Sequence, residues 1–172
     1  MTAAFVIGYV TLARLVEMIV ARRNTAYIMA NGGREFSPGH YPAIIAFHVA
    51  WLLCLWIMAP GRALVPVWLI VFALLQPLRV WVMAALGPRW TSRIVVVPGE
   101  TLVTGGPFRF LRHPNYAIVV AEVASLPLAF GLWSVALVGT TVNAVLLTIR
   151  IRAEDAALAP LRVKGPRVQG VR

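Results

Sequence analysis

Two short polar stretches hold most of the side chains able to do chemistry, and apolar sequence surrounds both. Residues 101–116 read TLVTGGPFRFLRHPNY and gather Arg109, Arg112, His113 and Tyr116 around a Gly105-Gly106-Pro107 turn and a His113-Pro114-Asn115 turn. Residues 150–155 read RIRAED, with Arg150 and Glu154 one helical turn apart on a shared face. Turn formation alone accounts for the glycines, the prolines and the asparagine. It does not account for two arginines, a histidine and a tyrosine at the edge of an apolar run. An arginine can hold a carboxylate bidentately, a glutamate can accept from hydroxyls or an amine, and a histidine beside them can move a proton. A plain surface ion pair is the competing reading of Arg150 and Glu154.

The elements that must position these residues are hydrophobic helices. Of 172 residues, 60% are hydrophobic, and the mean hydropathy of +0.80 lies far from soluble composition. The chain reads as one all-α integral membrane domain. Its 16 Lys and Arg against 6 Asp and Glu give a net charge of +10. These charges flank apolar segments without any basic-aromatic module, so membrane orientation explains them better than nucleic acid does. The single Cys54, lying in an apolar segment, and three scattered histidines exclude a disulfide framework and a zinc-type site.

About five spans are expected. Residues 3–21 approach the roughly 20 needed to cross hydrocarbon and end at Arg22-Arg23-Asn24. No basic segment precedes this run, and Arg14 and Glu17 interrupt it, so it reads as a first transmembrane helix rather than a cleaved leader. Arg14 and Glu17 share a face and are expected to pair. Residues 31–42 form a polar Gly/Pro-rich loop carrying His40, either a loop hydrogen-bonder or part of a substrate entrance. Residues 43–59, with His48 inside, and 63–86 form a helical hairpin; Gln76, Pro77 and Arg79 mark a kink or an interfacial anchor. Residues 87–106 carry β-branched runs on both sides of Pro98-Gly99, a small hairpin or extended excursion that must avoid lipid. Residues 116–130 and 132–158 make a second helical hairpin, with Glu122 requiring a partner inside the bundle. Residues 1–86 thus hold three helices, 87–158 the functional region, and 159–172 a basic tail, disordered or touching lipid.

LVTGGPF followed by RHPNY, and later RIRAED, resembles the isoprenylcysteine carboxyl methyltransferase family of integral membrane enzymes. By motif the likeness covers about the C-terminal half, and by hydropathy the whole chain. RLVE, RRN and GHYP in the N-terminal half resemble its small bacterial branch associated with type III polyketide synthases, which methylates alkylpyrones or alkylresorcinols. The resemblance implies S-adenosyl-L-methionine as cofactor. It puts cofactor contacts on Glu100, Thr101, Leu102, Val103, Phe108, His113, Pro114, Asn115, Tyr116 and Glu154, and points Arg150 at the methyl acceptor. Leu102, Val103 and Phe108 would wall the adenine, Glu154 would accept from ribose hydroxyls or an amine, and His113 and Tyr116 would bond the methionine end. A carboxylate or acidic enol needs no strong base; for a phenol, His113 or His40 would serve. Glu100, Phe108 and Asp155 depart from commoner family residues, which bears on the prenylcysteine substrate more than on the cofactor.

The expected activity is therefore O-methylation of a lipophilic small molecule, with prenylcysteine carboxylate as the alternative acceptor. An NADPH-dependent enzyme resembling sterol reductases and a small transporter or scaffold are the rival classes. The resemblance to the small bacterial branch implies a bacterial inner-membrane protein, and arginine placement predicts the N-terminus outside and the site facing the cytoplasm. Arg62 lies on the opposite side.

Overall fold

The computed structural model describes residues 2–163. Five helices carry the fold: α1 (Thr2–Ala30), α2 (Tyr41–Met58), α3 (Pro66–Leu86), α4 (Pro114–Ala129) and α5 (Trp133–Val163). A proline in the first turn opens α2, α3 and α4, where its missing N–H costs no intrahelical bond and its fixed φ favours the helix. Four helical segments are long and apolar enough to cross a membrane: Thr2–Ala30, Pro38–Met58, Pro66–Arg89 and Trp133–Leu161. Their flanks leave large apolar side chains uncovered, among them Ile57 at 78% exposure and Leu137 at 72%. Such faces belong in lipid, and the chain is an integral membrane protein.

α4 is the short helix, with 16 residues spanning about 24 Å. It is also the most enclosed: Glu122, Val123 and all of Ser125 to Ala129 are buried, because α3 and α5 pack along it. Far from the polar loops, Ile7, Trp51, Leu55, Phe72, Leu126 and Phe130 form one core cluster. Nearer those loops, Ala21, Val82, Trp90 and Ile118 form another.

Residues 87–106 form the expected extended excursion, but the alternative of a hairpin closed within them is corrected. β2 (Val95–Val96) pairs antiparallel with β1 (Arg34–Glu35), in the register Arg34↔Val96 and Glu35↔Val95. Phe36 N–H donates to Ile94 O at 2.8 Å, and Arg93 donates to both carboxylate oxygens of Glu35 at 3.1 and 2.9 Å. The Pro-Gly turn sends residues 101–104 along another path, so the β-branched run finds its partner across the fold.

The first helix also does not stop at Arg22-Arg23. Those charges end the apolar span, yet they are good helix formers, and no helix breaker intervenes before Gly32. Asn24 Nδ2 on this extension donates to Trp90 O at 2.8 Å, fastening α1 to the segment after α3. At the other end α5 runs beyond residue 158 to Val163 with Pro160 inside it, so the basic tail begins later than expected. Residues 164–172, where its disorder or lipid contact was expected, lie outside the described residues.

Candidate functional site

The α4–α5 hairpin brings the two polar stretches together. Pro114 opens α4 and holds His113 outside it, at φ −129° and ψ 64°, since the residue before a proline is driven from helical backbone angles. In the first turn of α4 stands Tyr116, buried. Its hydroxyl accepts from Arg150 Nε at 2.8 Å and donates to the Glu154 carboxylate. Arg150, also buried, donates through Nη2 to Ser92 O at 2.8 Å, and its guanidinium carbon lies 5.7 Å from the centre of the Tyr116 ring. The His113 ring stacks on Tyr116 with centroids 5.4 Å apart and planes at 22°. Its Nε2 is 3.2 Å from Asp155 Oδ1 and its Nδ1 3.8 Å from Glu154 Oε1. A phenol thus sits between a cation and an anion one helical turn apart, and holds both in place.

These groups border a cavity of about 320 Å³, within the roughly 300–1,000 Å³ usual for small-molecule sites. Glu100, Thr101, Leu102, Val103, Phe108, His113, Pro114, Asn115, Tyr116, Arg150 and Glu154 all line it. His40 does not. It lies in the 3-10 turn Pro38–His40, which packs on α5, within electrostatic reach of Arg150. Gly106 brings its turn close against α3: at φ +59° it adopts backbone that other residues avoid, and a Cβ there would stand 3.4 Å from Ala85 Cβ and Trp81 Nε1.

Three participants were given no role in the site by the sequence reading. Arg89 donates to Thr101 O at 2.7 Å and pairs with Glu100 at 3.0 Å, fixing the wall opposite α5. Ser92 supplies its carbonyl to Arg150 and its hydroxyl to Tyr41 Oη, 3.0 Å away. Asp155 meets His113, where the sequence had marked it only as a departure from family pattern. The basic texture of residues 89–93 could have pointed to Arg89; nothing marked Ser92. Among the described residues no group of three or more His, Cys, Asp and Glu could hold a metal ion.

A second polar cluster lies between the two cores. Glu122 of α4 accepts from Arg79 Nε at 3.1 Å, from Arg79 Nη2 at close range, from Arg14 Nη2 at 3.1 Å and from Gln76 Nε2 at 3.0 Å. Arg14 also pairs with Glu17 at 2.8 Å, as their spacing predicts. The reading of Gln76 and Arg79 as an interfacial anchor is corrected, because both turn inward to this carboxylate, and Arg79 is only 5% exposed. His48 places Nδ1 2.9 Å from Ile44 O on its own helix.

Lipid-facing helices with a mixed polar and apolar cavity at one end define an integral membrane protein with a site beside the loops. Residues 68–160 match the model of the isoprenylcysteine carboxyl methyltransferase (ICMT) family, and the chain belongs to that family of membrane methyltransferases. It is similar to "Uncharacterized protein YpbQ" of Bacillus subtilis (strain 168), at 37% identity over 163 residues, covering 92% of this chain and 97% of that one. It is also similar to an uncharacterized protein of Haemophilus influenzae, at 24% identity over 156 residues, covering 86% and 90%. No solved structure matches significantly.

Proposed function

We propose that the protein transfers a methyl group from S-adenosyl-L-methionine to an oxygen of a lipophilic acceptor, with an alkylpyrone or alkylresorcinol as the preferred class. The observation that carries this reading is the meeting of Arg150, Tyr116, Glu154 and His113 on a cavity whose other wall is formed by Leu102, Val103 and Phe108, in a chain of this family. The donor set suits the cofactor: apolar side chains for a purine, a carboxylate for ribose hydroxyls or an ammonium, and donors for a carboxylate. When bound, the cofactor supplies an electrophilic methyl on a sulfonium. The protein's task is then to hold the acceptor oxygen in line and to exclude water. In this reading Glu154 and His113 hold the cofactor, while Arg150, fixed by Tyr116 and Ser92, grips the acceptor's ionised head group. For a phenol, His113 takes the proton, with Asp155 against its Nε2. Positively charged loops at the cavity end support a cytoplasmic orientation in a bacterial inner membrane.

A lipid-side approach for the acceptor has its own support. An apolar groove of about 240 Å³ between α3, α4 and residues 107–111 is lined by side chains such as Leu78, Trp81, Phe110 and Ile118. It shares Pro114 with the polar cavity. Each methylene buried there adds about 0.8 kcal/mol, so a long chain binds far better than a short one. Prenylcysteine carboxylate, the acceptor the family is named for, is the second candidate. The test is transfer of labelled methyl from S-adenosylmethionine to one head group carrying chains of several lengths, in micelles. Rates should rise steeply with chain length. Equal rates for short and long chains would remove the lipid-side approach, and methylation of farnesylcysteine alone would reverse the two acceptors.

A further inference from the structure

Charged groups inside a membrane bundle are costly, and apolar side chains of similar volume often pack as stably as a buried ion pair. The cluster of Arg14, Glu17, Arg79 and Glu122 is balanced, with two cations against two anions, and joins α1, α3 and α4. Its geometry reaches the cavity through one bond. Arg79 uses one N–H from Nε and one from Nη2 on Glu122, and two from Nη1 on Glu17 Oε2 at 3.5 Å and Asn115 Oδ1 at 3.4 Å. That makes four of the five N–H groups a guanidinium owns. The paired bonds to Glu122 fix the plane of the guanidinium, and with it the direction of Nη1.

Asn115 lines the cavity in the first turn of α4. A guanidinium only donates, so the oxygen of the Asn115 amide must face Arg79 and the NH₂ must face elsewhere. That Nδ2 has no protein acceptor among the described residues and is not sealed from solvent. We infer that Arg79, held by Glu122 and Glu17, is a positioning residue that locks the Asn115 amide with its donor turned into the cavity, toward an acceptor atom on the polar end of the cofactor. This rests on the cofactor reading given above. The buried charges then set the orientation of one binding donor, a task that apolar packing could not perform.

The test is a double-mutant cycle on detergent-purified full-length protein, titrated calorimetrically with S-adenosylhomocysteine, which keeps the polar end of the cofactor. Asn115→Ala should weaken binding about ten-fold, the equivalent of 1.4 kcal/mol. Arg79→Met/Glu122→Met removes one charge pair and leaves Arg14 with Glu17; it should unfold near the parent's temperature yet weaken binding by a similar factor. Combined with Asn115→Ala it should cause no further loss, because both changes remove one donor. Parent-like affinity in the double-methionine variant, or losses that multiply in the combination, would overturn the inference. If the double-methionine variant does not fold, Arg79→Lys replaces it in the cycle, since an ammonium pairs with Glu122 but lacks the fork; the same two outcomes decide. A parent protein that binds no S-adenosylhomocysteine would remove the cofactor reading and the lock together. A parent that binds, with unaltered variants, removes the lock alone.

Discussion

Replacing Tyr116 by Phe removes one oxygen and leaves the ring, so the stack on His113 and the burial against α5 survive while the hydroxyl's two bonds are lost. Both partners are charged, and a bond of that kind contributes about 1.5–3 kcal/mol. The two do not sum to a net loss, because Arg150 and Glu154 are one turn apart on α5 and can move into direct contact once the hydroxyl is gone. A net destabilisation of about 1.5–3 kcal/mol is expected, and a chain of this size loses about 2–4 °C of unfolding temperature per kcal/mol. The more specific consequence is geometric. Glu154 drawn onto Arg150 leaves its place at the cavity wall, and affinity for S-adenosylhomocysteine should fall by about ten-fold or more. Thermal unfolding and calorimetric titration of the same preparation read both effects. Parent-like affinity in Tyr116→Phe, measured alongside a Glu154→Ala variant that does lose binding, would refute the idea that this hydroxyl holds the pair in its binding arrangement.

Glu154→Ala and His113→Ala should each lose about ten- to hundred-fold in S-adenosylhomocysteine affinity by calorimetry, and an unchanged constant in either would take that residue out of the cofactor site. Arg150→Ala should keep most of that affinity and lose turnover in the labelled-methyl assay; the reverse pattern would move Arg150 from acceptor to cofactor. Gly33→Ala puts a Cβ 2.6 Å from Ile28 Cγ2 and 2.8 Å from Ile28 O, so the junction of α1 and β1 must shift, at a cost of about 1–3 kcal/mol in thermal unfolding. For orientation, single cysteines placed in residues 87–112 of a Cys54→Ser background should react with membrane-impermeant reagents only after the membrane is opened, and labelling of intact cells would invert the topology.

The helices were legible because lipid imposes a simple rule: apolar runs near 20 residues span, and charges mark their ends. The rule gave the end of a span, however, and not the end of a helix, as the continuation of α1 through Arg22 and Arg23 to Ala30 shows. The gathering of Arg150, Glu154, His113 and Tyr116 at one place was legible for a related reason: with so little polar sequence, the polar ends of a helical hairpin must meet. Strand pairing was not legible. Val95–Val96 had a local candidate beyond Pro98-Gly99, and the choice of Arg34–Glu35 depends on where α1 and α3 end in space. Partners far apart in sequence were equally hidden. Glu122 announced its need for a counter-charge, but Arg79 and Asn115 became its network only through helix packing that no periodicity specifies.

The reading proposed for the cavity between residues 89–116 and the C-terminal part of α5 is that of a site for S-adenosylmethionine. The most direct measurement is calorimetric titration of the detergent-purified protein with S-adenosylhomocysteine and, separately, with NADPH. Saturable binding of S-adenosylhomocysteine that Glu154→Ala weakens, together with no heat from NADPH, is the predicted result. Binding of NADPH alone, or S-adenosylhomocysteine binding untouched by changes at Glu154, His113 and Tyr116, would contradict it.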